Sequence, residues 1–334
     1  MKLISRLALS GAVMAFVVIV LGAWVRLSDA GLGCPDWPGC YGHALVPLGE
    51  DVAAANEAYP ERPVETDKAI KEMVHRYVAA LLGLVILVIT WIAWKHRRAG
   101  APLGHAVALL ALVIFQGMLG MWTVTLLVKP AVVTAHLFGG LATLSLLWLL
   151  YLRTRDVPVD DGDRDPQAAA ARPLLWVAML ALLGQIFLGG WTSTNYAALS
   201  CPELPTCQGQ WWPEMNFDDA FTLWRGLGVD YEFGVLPNES RVAVHISHRI
   251  GAIVASALLI LAAFSVMRHA GAPRTAAFGR MLLGVLALQL VLGVSNIVFH
   301  LPLWVATAHN GGAALLLLTM VMLLHRCRRY PLAQ

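Results

Sequence analysis

Eight stretches nearly free of charge constrain this chain more than any other feature. They cover roughly residues 7–25, 77–94, 103–128, 130–152, 174–199, 250–267, 281–299 and 303–324. Each, with its flanks, is long enough to cross about 30 Å of hydrocarbon at ~1.5 Å of rise per residue. Lipid offers the backbone no hydrogen-bond partners, so segments of this length cross as helices. Composition agrees: 58% of the 334 residues are hydrophobic and 13% charged, where a soluble domain carries about 25%. The expected fold is an all-α integral membrane protein with eight transmembrane helices.

The chain also repeats itself. His75-Arg76 opens the second run and His248-Arg249 the sixth, 173 residues later. At the same offset His136 maps onto His309, Gln116 onto Gln289 and Gly120 onto Gly293. Gly22-Ala23-Trp24-Val25 is echoed by Gly189-Gly190-Trp191-Thr192 at an offset of 167, as is Cys34/Cys40 by Cys201/Cys207. The second outer loop is therefore six residues longer. Four helices per half is an even number, so both halves enter from one side, as two four-helix bundles related by a pseudo-twofold axis along the membrane normal. The expected division is an N-terminal half over 1–153, a flexible cytoplasmic linker over 154–172 rich in Asp (Asp160, Asp161, Asp163, Asp165), and a C-terminal half over 173–334. The first run resembles a signal peptide only superficially. It exceeds a typical h-region, no Ala-x-Ala site follows it, and it has a repeat partner.

Lysine and arginine set the orientation. With the N-terminus in the cytoplasm, the short inner segments hold 15 of the 24 basic residues, and the outer segments hold nine together with 16 of the 21 acidic ones. Both termini are thus expected to be cytoplasmic. The net charge of +3 conceals a polarity across the bilayer and gives no argument for nucleic acid.

His75 and His136 are 61 residues apart, as are His248 and His309. All four fall in the outer part of the membrane, with His136 roughly 9 Å into its helix. Two histidines on separate helices facing one cavity suit bis-axial ligation of haem iron, whereas a compact zinc site takes three or four ligands. The plain alternative is that each ring is hydrogen-bonded within the bundle; paired spacing in both halves favours the iron reading. His43, His96, His105, His269, His300 and His325 read as loop or interfacial residues. His245 stands where the first half has Glu72. A carboxylate over one haem site can take a proton or stabilise developing positive charge, or it is simply an interfacial acid near Lys68 and Lys71. Arg76 and Arg249 are candidates for haem propionates or for interfacial anchors. The cysteine pairs lie in extracytoplasmic loops, where disulfides persist; the first pair is also a candidate redox dithiol. Trp24, Trp37, Trp191, Trp211 and Trp212 read as an interfacial belt, some of them able to wall a porphyrin.

Glu72-x-x-His75-Arg76, Thr134-Ala135-His136, His248-Arg249, Thr307-Ala308-His309 and a cysteine pair in each large outer loop together resemble haem A synthases, in the bacterial form with outer-loop cysteines. The resemblance covers nearly the whole chain. It implies oxidation of the C8 methyl group of haem O to the formyl group of haem A, for terminal oxidases. It implies a haem b cofactor on His248 and His309, substrate haem O between His75 and His136, and Glu72 as the catalytic residue. It also implies disulfides Cys34–Cys40 and Cys201–Cys207, a haem O synthase that supplies the substrate, an electron donor or acceptor, the bacterial cytoplasmic membrane, and a homo-oligomer as one option. The competing readings are a di-haem electron-transfer protein, against which one-sided histidines count, and a haem carrier, which has little need of Glu72. A haem-farnesylating enzyme would need Asp-rich motifs at helix ends, and the Asp cluster here lies in the linker.

Overall fold

The computed structural model describes residues 1–155 and 164–328. Eight long helices dominate it: α1 (Lys2–Leu27), α2 (Thr66–Lys95), α3 (Leu103–Thr125), α4 (Pro130–Thr154), α5 (Arg172–Thr194), α6 (Asn238–His269), α7 (Pro273–Val298) and α8 (Leu303–Arg326). All eight are long and apolar enough to cross a membrane. No strand occurs among the described residues. Proline marks six of the starts: it is the N-cap of α3, α6 and α8 (Pro102, Pro237, Pro302) and sits in the first turn of α4, α5 and α7. A helix start has no use for the N–H that proline lacks, and the fixed φ is already helical.

Within the first half α1 packs on α2 and α4, and α3 on α2 and α4; within the second, α5 packs on α6 and α8, and α7 on α6 and α8. The halves meet through α1 on α8, α4 on α5 and α4 on α8. Exchanging each helix for the one four places along returns the same set of neighbours. One core runs through both halves, from Ala8, Ala12, Ile86 and Leu144 to Leu175, Ala178, Leu259 and Met320. Large apolar side chains face outward as well, among them Ile114 and Phe115 on α3, Ile253 and Phe264 on α6, and Val291 on α7. A water-soluble helix would carry polar residues on that face; a lipid-facing one does not need them.

Backbone detail recurs at the two offsets. Positive φ appears at Asp29 and Tyr196, at Tyr41 and Gln208, and at Leu127-Val128 and His300-Leu301. The cis peptides Trp37-Pro38 and Leu204-Pro205 are also 167 residues apart.

The linker departs from its expected flexibility at its C-terminal end. Asp165 is 3% exposed. Its carboxylate accepts from the N–H groups of Ala168 (3.2 Å), Gly271 (3.0 Å) and Ala272 (3.0 Å), and its own N–H donates to the Arg326 carbonyl at 2.9 Å. A carboxylate that gathers unpaired N–H groups at helix starts both caps them and suits their dipole. Asp165 thereby ties the approach to α5 and the start of α7 to the end of α8. Asp160, Asp161 and Asp163 lie outside the described residues, as does Arg329. His325, expected at an interface, is instead 4% exposed, with Arg328 at 2.9 Å from its Nδ1.

Candidate functional site

Each of the four paired histidines rests against a glycine on the neighbouring helix. A Cβ added at Gly22 of α1 would stand 2.9 Å from Cε1 of His75 on α2, and one at Gly120 of α3 would stand 3.6 Å from His136 on α4. In the second half Gly189 of α5 seats His248 on α6 at 3.2 Å, and Gly293 of α7 seats His309 on α8 at 3.1 Å. Glycine is required for this approach at Gly22, where a Cβ would overlap the ring; at Gly189 and Gly293 the ring would have to give by a few tenths of an ångström, and at Gly120 a Cβ would make an ordinary contact. His75 and His136 lie close enough to interact electrostatically, as do His248 and His309.

All four rings are half-buried. Nδ1 of His75, His136 and His309 is sealed from solvent with no hydrogen-bond partner, while the residue as a whole keeps accessible surface. An imidazole nitrogen left unpaired in a buried setting is costly unless it has a ligand to serve. Among the described residues no group of three or more His, Cys, Asp or Glu side chains could hold a metal ion. The donor set is therefore two imidazoles per half, which fits axial ligation of a haem iron and not a zinc site.

Glutamines accompany these rings. Gln289 brings its carboxamide nitrogen to 3.3 Å from His309 Nε2. A Cβ at Gly312 would collide with that carboxamide, and one at Gly139 would collide with Gln116, the counterpart in the first half. Gln185 reaches His248 with its Nε2 at 3.0 Å from the ring Nδ1 and 3.1 Å from the His248 carbonyl.

At the N-terminal end of α2, Glu72, Arg76 and the first cysteine pair form one cluster. Cys34 and Cys40 are disulfide-bonded and pack with Ala69 and Met73 of α2. Gly33 approaches the same helix so closely that a Cβ there would stand 2.6 Å from the Lys68 carbonyl carbon. Glu72, 5% exposed, accepts from the Cys34 N–H at 2.9 Å and from Arg76 Nη2 at 2.6 Å. Arg76 Nη1 donates to the carbonyls of Asp36 (3.0 Å) and Gly39 (2.6 Å) within the disulfide loop. The second half repeats the device. Cys201 and Cys207 are bonded and pack with Val242 and Ile246, the counterparts of Ala69 and Met73. Arg249 donates to the carbonyls of Cys201 (2.8 Å), Glu203 (2.7 Å) and Thr206 (3.0 Å). The loop carbonyls account for where both guanidinium groups stand. His245 replaces Glu72 and donates from Nδ1 to the Ala197 carbonyl at 2.8 Å. Glu72 and His245 thus do one job with opposite polarity: each fastens the start of its outer loop to the helix below.

Some residues that bear on the site were not apparent from the sequence. Lys129, 2% exposed, places its ammonium over the Trp224 ring at 3.0 Å and donates to the Gly226 carbonyl at 2.8 Å, so the second outer loop is pinned above the α3–α4 turn. Arg62 pairs with Asp230 (2.6 Å) and Glu232 (2.9 Å). These residues are distant in sequence and carry no motif. Trp191, expected in an interfacial belt, is 1% exposed, stacks between Phe187 and Phe221, and donates to the Ala220 carbonyl at 2.8 Å. His96 and His269 are also 173 apart in sequence, yet both are exposed at helix ends.

The family model described as cytochrome oxidase assembly protein, COX15-CtaA, matches residues 5–321. A protein named heme A synthase from Shewanella oneidensis is 48% identical over 310 residues, 92% of each chain. Proteins of the same name from Halalkalibacterium halodurans (26% identical, 93% of each chain) and Sphingopyxis alaskensis (28% identical, 95% of this chain and 90% of that one) are also similar.

Proposed function

The chain belongs to the COX15-CtaA family of cytochrome oxidase assembly proteins, and on that premise we propose that it is a haem A synthase: a multi-pass membrane oxidoreductase that converts the C8 methyl group of haem O to the formyl group of haem A. The observation that carries this reading is the set of four glycine-seated histidines, two per half, of which only the first pair has a carboxylate one helical turn away.

In this reading the N-terminal half (1–153) binds haem O between His75 and His136, and the C-terminal half (173–334) holds haem b on His248 and His309. The unpaired Nδ1 atoms of His75, His136 and His309, and the partial exposure of all four residues, support this reading. A haem bound in the second half supplies one-electron redox chemistry. The chain's own residues do the rest. Gly22 sets how closely the His75 ring approaches α1, and the apolar helices keep bulk water from the reacting carbon. Glu72 is the candidate catalytic group: its carboxylate can take a proton or stabilise positive charge that develops on the substrate. Arg76 and Arg249 are the cations nearest the ligand histidines in sequence. They fix the rims of the two sites through the loop carbonyls and remain the candidates for propionate contact. The disulfide loops are the outer walls, and the Cys34–Cys40 pair, hydrogen-bonded to Glu72, is the candidate redox pair.

The basic inner segments support cytoplasmic termini and haem sites toward the outer side. A haem O synthase is the natural source of so apolar a substrate, and an electron donor or acceptor completes the reaction. The test is direct. Aerated membranes containing this protein, supplied with haem O and reductant so that dioxygen is present as oxidant, are expected to yield haem A on extraction; their failure to do so, with haem still bound, returns the protein to the carrier reading.

A further inference from the structure

The loop before α6 leaves its own half and lies on the other. Arg225 is fastened to its own half, donating to the Asp219 carboxylate at 2.6 Å, and so is Leu236, whose carbonyl accepts from Arg241 Nε at 2.7 Å. Between these two anchors the chain is held by the first half. The Gly226 carbonyl accepts from Lys129 at 2.8 Å, the Tyr231 N–H donates to the Leu127 carbonyl at 3.2 Å, and Asp230 and Glu232 pair with Arg62 at 2.6 and 2.9 Å. Gly226 and Gly234, each within two residues of an anchor, take φ of +92° and +83°, values that a side chain disfavours. Leu227 and Phe233 stay exposed, so charge and hydrogen bonds hold much of this segment down.

The place where it lands is next to the first pair of histidines. Tyr231 is buried against Leu32, Val124 and Val128, with Val133 and Val229 at the edge of the same cluster. Val124 stands four residues after Gly120 and Val133 three before His136, so both project from the helix faces that bring Gly120 and His136 together. The segment therefore closes over α3 and α4 one helical turn, about 5 Å of rise, from the His136 position. The equivalent turn of the second half is more open: Val128, Lys129 and Pro130 are buried, whereas their counterparts Leu301 and Pro302 are partly exposed and Leu303 is exposed. We propose that residues 226–234 are a strap, supplied by the second half, that shuts the first-half site and lifts on its two glycines to let haem O in and haem A out. This rests on the haem assignment above and adds how the site beside Glu72 turns over while the other keeps its haem.

The test uses the purified protein carrying haem b and loaded with haem O, with excess apomyoglobin as haem acceptor. The two haems separate on extraction, so the loss of each is followed by itself. Arg62→Ala removes both ion pairs and is expected to speed haem O loss by about 2- to 30-fold, the range for two part-exposed pairs, with haem b loss unchanged. High salt is expected to speed haem O loss from the wild type and to have little effect on Arg62→Ala, because such pairs are screened. Arg62→Cys with Asp230→Cys, joined by a short bis-maleimide, is expected to trap haem O already bound and to exclude haem O added afterwards. Exchange at the wild-type rate in the cross-linked protein overturns the strap. So does equal acceleration of both haems in Arg62→Ala, which would make the segment a mere staple between halves. If Arg62→Ala fails to fold, the salt dependence of the wild type and the cross-linked protein still decide it. A wild type that binds no haem O brings down the haem assignment; one that binds it and releases it alike in every variant and with the cross-link brings down this inference alone.

Discussion

Arg26 donates through Nη2 to the Ser193 carbonyl at 2.6 Å, and Ser193 is its own counterpart 167 residues further on. The neighbouring pair does the same: the Tyr196 hydroxyl donates to Asp29 Oδ1 at 2.9 Å, again across 167 residues, and the Arg26 guanidinium lies over the Tyr196 ring at 4.2 Å. A residue touches its own copy only where the two halves meet on whatever relates them. These bonds therefore mark the seam between halves at the C-terminal ends of α1 and α5. Their chemistry is unequal, with a cation and a carboxylate on one side and a hydroxyl and an aromatic ring on the other. Arg26→Ala is expected to lower stability by about 1–3 kcal/mol, as for a part-buried charged hydrogen bond. Thermal unfolding in detergent measures it, and an unchanged midpoint would show that the seam is held elsewhere.

Replacing His248 or His309 with Ala is expected to abolish the low-spin haem spectrum of the second half. His75→Ala and His136→Ala should spare that spectrum and weaken binding of added haem O. Haem extraction and difference spectra distinguish the four variants.

Glu72→Gln keeps an acceptor for the Cys34 N–H and so keeps the outer loop in place. Haem content is expected to stay normal while haem A formation falls by about 10²- to 10⁴-fold, the range for losing a general acid or base. Normal output would reduce Glu72 to a fastening for the loop, the job His245 does in the other half.

Gly22→Ala would set a methyl group 2.9 Å from the His75 ring. The ring or the helix must shift, with an expected cost of about 1–3 kcal/mol and loss of haem O affinity. Gly117→Ala, where a Cβ meets nothing within 4 Å, is the control. Equal effects from the two substitutions would remove the glycine-seat argument.

Acid should loosen the second outer loop. The Ser240 hydroxyl at 2.7 Å and the Arg225 guanidinium at 2.6 Å hold the Asp219 carboxyl below the usual aspartate range. A depressed folded value gives stability that is present above the unfolded value of about 3.9 and is lost as pH falls through the folded one. Limited proteolysis of the loop is expected to accelerate below about pH 4, and Asp219→Asn should be susceptible already at neutral pH. A pH-independent cleavage rate in the wild type would rule this out.

The helices, their number and the four matched histidines were legible because each rests on one-dimensional information: run length, charge and spacing. The repeat extended that reach, since it singled out His248 over His245, one turn away. The roles of Arg76 and Arg249 were not legible. A guanidinium beside a haem ligand suits a propionate and a carbonyl-lined loop equally, and only the fold shows that the loop comes back to meet it. Lys129 and Trp224 were invisible for a related reason: the loop that brings them together crosses from one half to the other. Asp165 was misread because its acidic, proline-flanked setting is that of a solvated linker. Its three N–H partners come from segments that meet only in three dimensions.

The bonds of Asp165 described above join the end of the linker, at Ala168, to Gly271, Ala272 and Arg326 of the second half, and none reaches the first half. The covalent join before residue 164 is thus not what holds that half's inner end together. Each half also closes its own ring of four helices and carries its own disulfide loop. A gene split between residues 156 and 163 should therefore give two polypeptides that insert separately and find one another in the bilayer. Such a split would allow each haem site to be built, labelled and loaded on its own before the seam at Arg26 and Ser193 is formed.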